Sequence, residues 1–240
     1  MKAQRTAIVT GASQGIGACL VTTFLERGYN VVATARSMEK SGFQASNQLA
    51  FVDGDIGEAS TAKNVAETTV ERFDGIDVLV NNAGIFFTKP FPDYTTEDAR
   101  KLFSTNLYGF VYLGQLVVAQ MLKQKEGGSV VSITASLADH PIAGVTASVP
   151  MITKGGIESI SKNLAMEYAK VGIRFNTVAP GIVDTPLHQD NPKDFLRTLS
   201  PMGSISDAQE IVDAVVFLAE APHITGEVLH VDGGAHLGKW

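Results

Sequence analysis

A doubly wound α/β fold, with a seven-stranded parallel sheet flanked by helices, is what this 240-residue sequence predicts. Three observations carry that expectation. Short Val/Ile-rich runs, mostly unbroken by charge, alternate with longer amphipathic segments along the chain. Runs of this kind are expected where strands are buried on both faces. Strand-helix alternation in turn calls for parallel strands joined by right-handed crossovers. The first apolar run also leads straight into a glycine-rich turn that opens a helix.

Taken in order, the apolar runs place strands at 6–10, 30–35, 49–52, 76–80, 129–134, 173–178 and 227–231. The amphipathic segments place helices at 15–27, 59–73, 96–125, 148–170 and 207–220. Residues 36–48 are too few and too mixed for a crossover helix, so a loop with at most one helical turn is expected. Residues 186–206 carry Pro186, Pro192 and Pro201 among polar residues. They read as an excursion from the sheet that serves as a substrate lid. There is no internal repeat, low-complexity tract or linker, so residues 1–240 read as one domain.

Composition narrows the function classes. Hydrophobic residues make up 45% and charged residues 18%, ordinary for a globular protein. A net charge of −6 speaks against nucleic acid and anionic membrane as partners. No apolar run is expected to span a bilayer, and residues 1–5 lead into a strand rather than a signal-peptide core. Cys19 has no second cysteine to pair with and lies in an apolar helical pattern. A core thiol in a reducing cytoplasm is the expectation. No metal site is expected.

The turn Thr10-Gly11-Ala12-Ser13-Gln14-Gly15-Ile16-Gly17 stands between the first strand and first helix. Glycine serves three needs there: a tight turn, close approach of backbone to pyrophosphate, and helix-on-strand packing. The helix N-terminus then offers free N–H groups and a partial positive charge to phosphates. In this context the turn predicts a Rossmann-type dinucleotide site. The residue after the second strand should read the adenosine ribose. An acidic residue would accept from a 2′-hydroxyl, and a cation would accommodate a 2′-phosphate. Arg36 and Ser37 stand there with no carboxylate, which favours NADP(H) over NAD(H).

These residues and those that follow resemble the short-chain dehydrogenase/reductase family over essentially the whole chain. Residues 10–17 match its Thr-Gly-x-x-x-Gly-x-Gly turn, and Asn81-Asn82-Ala83-Gly84 its Asn-Asn-Ala-Gly motif. Asp55-Ile56 is similar to the family's adenine-side pair, and Asn106 to its helical asparagine. Pro180-Gly181 with Thr185 resembles the loop that holds the nicotinamide carboxamide, and residues 224–234 its C-terminal strand. The resemblance implies a hydride transfer between nicotinamide and a small substrate. It also implies cofactor contacts from Gly11, Ser13, Gln14, Gly15, Ile16, Gly17, Asn82, Ala83, Gly84 and Lys154, and a homotetramer or homodimer.

The family's catalytic residues are a serine, a tyrosine and a lysine four residues after the tyrosine. Lys154 matches the lysine, but Pro150 stands where the tyrosine belongs, in the first turn of a helix expected to be capped by Ser148. Tyr112 and Tyr168 are too far along the chain to replace it. Ser136, fourteen residues before Pro150, is the expected carbonyl-binding hydroxyl, with Thr134 as its runner-up. His140, His188, Ser148 and Lys154 acting through water are the alternative proton sources. Three readings stay open: a carbonyl reductase with a substitute acid, an imine or activated-alkene reductase that needs none, and a cofactor-binding protein without turnover. Phe86, Phe87, Phe91, Leu137 and Phe195 suggest an apolar pocket for a cyclic or aromatic molecule.

Overall fold

The computed structural model describes residues 4–189 and 191–238. Residues 1–3 of the leader reading and residue 190 of the lid reading lie outside these. Seven strands form one parallel sheet in the order β3-β2-β1-β4-β5-β6-β7. They are β1 (Thr6–Thr10), β2 (Asn30–Ala35), β3 (Leu49–Asp53), β4 (Val78–Asn81), β5 (Gly128–Ile133), β6 (Ile173–Pro180) and β7 (Val228–Val231). The helices are α1 (Gly15–Glu26), α2 (Ala59–Phe73), α3 (Thr96–Leu102), α4 (Gly109–Gln124), α5 (Ser148–Tyr168), α6 (Lys193–Arg197) and α7 (Ala208–Glu220).

Two apolar cores result from the two-residue repeat of the strands. Ala7, Val9, Val31, Val78 and Val80 face α1 and α7, packing with Leu20, Phe24, Ile211 and Val215. Ile8, Val32 and Leu79 face the other way, against Val65, Leu113, Val117 and Met121 of α2 and α4. The order reverses between β1 and β4, and at such a switch point a crevice opens at the carboxyl ends of the strands. Every candidate site residue on β1, β4 and β5 lies at or just beyond that edge.

Several expectations need correction. The strand expected from residue 76 begins at Val78, because the side-chain amide of Gln124 occupies both backbone groups of Ile76 at 2.8 and 2.9 Å. The helix expected over 96–125 is broken by a π-helical turn at Phe103–Tyr108 between α3 and α4. Together, Thr96–Gln124 is long and apolar enough to cross a membrane by length and composition, contrary to the expectation that no such run exists. Leu113, Val117 and Met121 are instead buried against the sheet, as in a core helix. Ser148 is not the cap of α5: Ala147 is, without a side-chain bond, and Ser148 is the first helical residue. Residues 186–206 hold a short 3-10 turn and α6, and return to the sheet where Val183 bridges Ser206.

Candidate active site

The glycine turn is shaped by contacts that a side chain would obstruct. Gly11 and Gly15 have φ of +64° and +56°, in the left-handed region that disfavours other residues. A Cβ on Gly17 would strike the carbonyl oxygen of Gly11 and lie 2.6 Å from Asn82 Nδ2. Gln14, at the N-cap of α1, makes no side-chain capping bond, and the first turn of α1 has no acidic residue. The first amides of α1 are therefore not capped by a side chain, and no carboxylate there competes for the positive end of the helix. Ser13 is half-buried, Gln14 is exposed, and Ile16 packs on the core. These features fit a dinucleotide diphosphate.

The end of β4 is stitched to this turn across the switch point. Thr10 Oγ1 accepts from the backbone of Asn82 at 3.0 Å and of Ala83 at 2.9 Å. Asn82 Nδ2 donates to the carbonyls of Thr10 at 2.8 Å and Gly11 at 3.2 Å. Thr10 was not singled out from sequence, although its place at the strand end is the signal that marks it. Beyond β6, Gly181 packs against Asp232, and Thr185 lies close to Gly15, so the loop after Pro180 reaches the first turn. Arg36 and Ser37 are exposed just past β2, and Arg36 makes no hydrogen bond or ion pair among the described residues. Asp55 is exposed and holds its own loop through the Gly57 amide at 2.9 Å, while Ile56 is buried beneath Gly109.

The chemistry-bearing end gathers at β5, α5 and the π-helical turn. Lys154 is 9% exposed, and its Nζ donates to the carbonyl of Ile133 at 2.8 Å. Burial lowers its pKa to about 8, with the Glu158 carboxylate pulling the other way. A Cβ on Gly84 would stand 3.4 Å from both Lys154 Nζ and Asn106 Oδ1, so these groups meet beside the Asn-Asn-Ala-Gly turn. Asn106 lies in the π-helical turn. Its amide closes a ring with the backbone of Ile85, at 2.8 and 3.0 Å, and donates to Thr153 Oγ1 at 3.1 Å. Thr153 Oγ1 in turn donates to the carbonyl of Pro150 at 2.7 Å.

Pro150 is buried in the first turn of α5, where its missing N–H leaves no helix bond unmade. Ser136 is buried at the start of the turn after β5, and its hydroxyl has no hydrogen bond among the described residues. Thr134 spends its hydroxyl proton on the Val178 carbonyl at 3.2 Å. Of the two tyrosines, Tyr112 packs on Tyr108 and Tyr168 on Phe175. His140 is exposed and lies 6.0 Å, ring to ring, from His236. Burial lowers the pKa of His188 on its 3-10 turn. The apolar-pocket residues are dispersed. Phe91 and Phe195 are exposed, and Phe87 packs on Tyr94. Sequence reasoning passed over Thr153 and Glu158. Their spacing on one helix face with Pro150 and Lys154 would have found them.

This fold and this edge of the sheet define a protein of the Rossmann-type dinucleotide-binding class, and comparison with known proteins names the family. A family model described as enoyl-(acyl carrier protein) reductase matches residues 11–236. The 3-oxoacyl-(acyl-carrier-protein) reductase FabG of Escherichia coli is 34% identical over 245 residues, covering 97% of this chain and 98% of its own. Carbonyl reductase family member 4 of Xenopus tropicalis is 33% identical over 231 residues, covering 95% and 97%. Among solved structures, ElxO with NADP bound superposes with a TM-score of 0.90 at 27% identity, covering 97% of this chain and 98% of that one. A 3-ketoacyl-(acyl-carrier-protein) reductase from Brucella melitensis complexed with NADH gives 0.90 at 26%, with the same coverage. The chain belongs to the short-chain dehydrogenase/reductase family, and is an NAD(P)-dependent oxidoreductase.

Proposed function

We propose that this protein is an NADP(H)-dependent reductase of small carbonyl compounds in which Lys154 stands in for the acid that Pro150 cannot supply. The observation that carries the reading is the buried Lys154 ammonium at the junction of β5, α5 and the 82–84 turn. Lys154 also suits a hold on the cofactor, but a desolvated ammonium with a pKa of about 8, together with a buried Ser136 hydroxyl at the end of β5, supports chemistry at this edge. The names of the relatives, carbonyl and 3-oxoacyl reductases among them, agree with a carbonyl substrate.

When bound, the dinucleotide supplies the hydride. Gly11, Ser13, Gln14, Gly15, Ile16 and Gly17 hold its diphosphate, and Arg36 with Ser37 takes the 2′-phosphate. Asp55 and Ile56 border the adenine, Asn82, Ala83 and Gly84 the riboses, and Pro180, Gly181 and Thr185 the carboxamide. Ser136 Oγ hydrogen-bonds the substrate oxygen and opposes the charge that grows there. Lys154 gives that oxygen its proton, and Asn106 fixes the helix that carries Lys154 through Thr153. His140 is set aside as the acid, because its ring is exposed and lies toward His236.

Pro150 favours a second reading, a cyclic imine or activated alkene, since hydride transfer to an iminium carbon builds no alkoxide. Mixing the protein with NADPH and a panel of ketones, imines and enones, while following nicotinamide absorbance, separates the two. Turnover of ketones is expected. Turnover of imines alone selects the second reading, and binding without any turnover contradicts both.

We read residues 1–240 as one dinucleotide-binding unit with 186–206 as its substrate lid, acting in the cytoplasm as its single half-buried thiol suggests. Tyr108, Leu116, Ile152, Ile160 and Met166 on the π-helical turn, α4 and α5 expose large apolar side chains, which supports a homotetramer or homodimer. Light scattering after gel filtration tests the assembly, and a monomer would refute it.

A further inference from the structure

Asp232 follows β7 and precedes Gly233 and Gly234, whose φ angles are +61° and +86°. Two left-handed residues in a row, a conformation that glycine adopts without strain, turn the chain back beside the strand. The buried Asp232 carboxylate holds this turn, accepting from the amides of Gly234 at 2.9 Å and His236 at 2.8 Å. His236 is thereby stacked on His230 of β7, with ring centroids 4.0 Å apart. The same segment meets three parts of the candidate site. Its 3-10 turn, Ala235–Leu237, packs against the turn Ser136–Ala138 after β5. Asp232 packs on Gly181, whose amide donates to the Val231 carbonyl at 3.0 Å. The Gly233 carbonyl accepts from the Met202 amide at 3.3 Å, where the 186–206 segment returns.

Each stacked imidazole spends one nitrogen on a carboxylate. Nε2 of His230 lies 3.2 Å from Asp139, and Nδ1 of His236 lies 3.0 Å from Asp232. Asp139 is itself tied to the site, because its amide donates to the Ser136 carbonyl at 3.3 Å. A carboxylate takes the N–H of a neutral imidazole and leaves the second nitrogen as an acceptor. Those second nitrogens, Nδ1 of His230 and Nε2 of His236, have no hydrogen-bond partner among the described residues. The two side chains are 17% and 28% exposed, open to a ligand yet largely shielded from water. Both carboxylates already face an imidazole, so the lone pairs left over suit a hydroxyl group rather than a cation.

We propose that His230 and His236 are specificity-determining residues, whose free nitrogens accept hydrogen bonds from the hydroxyl groups of a polyhydroxylated carbonyl substrate. The inference rests on the carbonyl-reductase reading and deepens it by naming the substrate class. With the reacting carbonyl at Ser136, hydroxyls further along the molecule meet the imidazoles that the adjoining turns carry. A substrate without them leaves partly shielded acceptors unpaired, which is how a hydroxyl-binding site rejects the analogue that lacks the hydroxyl. The wall so formed is polar. It fits the dispersal of the phenylalanines, since Phe91 and Phe195 are exposed and Phe87 packs on Tyr94 rather than lining an apolar cavity.

The test uses the full chain, NADPH and two pairs of ketones on matched skeletons, dihydroxyacetone with acetone and erythrulose with butanone. Wild type should show the higher kcat/KM on the hydroxylated member of each pair. His236→Phe keeps a ring to stack on His230 but removes both nitrogens, and His236→Gln restores an acceptor at similar reach. The ratio of kcat/KM within a pair should fall about threefold to tenfold in H236F, mainly through KM, and recover in H236Q. A merely structural role would lower both members of a pair together. A second readout needs no turnover: the ring 15N signals of His236, assigned through H236F, should shift with erythritol and not with butan-2-ol when NADP+ is present. A wild type that prefers acetone and butanone, or a ratio that H236F leaves unchanged, overturns the proposal. A wild type that turns over none of the four ketones sinks the carbonyl-reductase reading instead, and the erythritol titration still decides whether His236 meets hydroxyl groups.

Discussion

The side-chain amide of Asn106 donates to the Thr153 hydroxyl at 3.1 Å, tying the π-helical turn to α5 one residue before Lys154. The same side chain closes two hydrogen bonds to Ile85 and is 3% exposed. Leucine is close to it in volume but leaves those partners unmade, at about 1–3 kcal/mol for each buried group. Asn106→Leu is expected to lower the melting temperature by several degrees and to reduce kcat more than it weakens NADPH binding. Calorimetry and a paired kinetic and fluorescence titration check this.

Gly17 leaves no room for a methyl group. Its Cβ would meet the Gly11 carbonyl and the Asn82 amide that stitches β4 to the first turn. Gly17→Ala forces the turn apart at about 1–3 kcal/mol of stability and should abolish measurable NADPH binding. Urea unfolding and a binding titration on the same preparation separate the two effects.

Arg36 is exposed, and among the described residues makes no ion pair, so its removal leaves no buried charge behind. Arg36→Ala should weaken NADPH binding about tenfold or more, the loss of a charge-assisted contact, while leaving NADH affinity unchanged. Equal losses for both nucleotides would remove Arg36 from the 2′-phosphate.

Stability should depend on Lys154 in a defined pH window. Its pKa in the folded chain is about 8, below the ordinary 10.5. Below about pH 8 both folded and unfolded chains hold the proton, and the full cost of burying the ammonium is felt. Between about 8 and 10.5 the folded chain has released the proton and the unfolded chain has not, so this contribution makes stability rise with pH. Lys154→Met should therefore stabilise the fold by up to about 3 kcal/mol at neutral pH, with the gain shrinking across that window. Denaturant midpoints measured at several pH values show the trend or its absence.

Pro150 stands one helical turn before Lys154, the position that the resemblance gives to the family's tyrosine. Pro150→Tyr should raise kcat on ketones about tenfold or more and leave any imine turnover unchanged. A loss on both substrates would mean that the site holds no room for the ring.

The strands were legible because a parallel sheet buries both faces, which writes Val/Ile runs such as 6–10 and 30–35 into the chain. Strand ends were less so: the start of β4 is decided by the Gln124 side chain, 48 residues away from Ile76. The glycine turn, Lys154 and Asn106 could be located because each sits in a local pattern. The π-helical turn carries no such pattern, since Phe103–Tyr108 reads as ordinary amphipathic helix. Glu158 was passed over as one more charge on α5, although the four-residue step from a lysine already assigned to the interior pointed inward. The His230–His236 stack joins β7 to the segment after it and reaches His140, ninety residues earlier on the β5 side, a juxtaposition that only the fold makes.

Fluorescence titration of the wild-type protein with NADPH and, separately, NADH tests most directly whether the β1–α1 turn and Arg36 form a site for a phosphorylated dinucleotide. Saturable binding of both is expected, tighter for NADPH. No saturable binding of either nucleotide would contradict it.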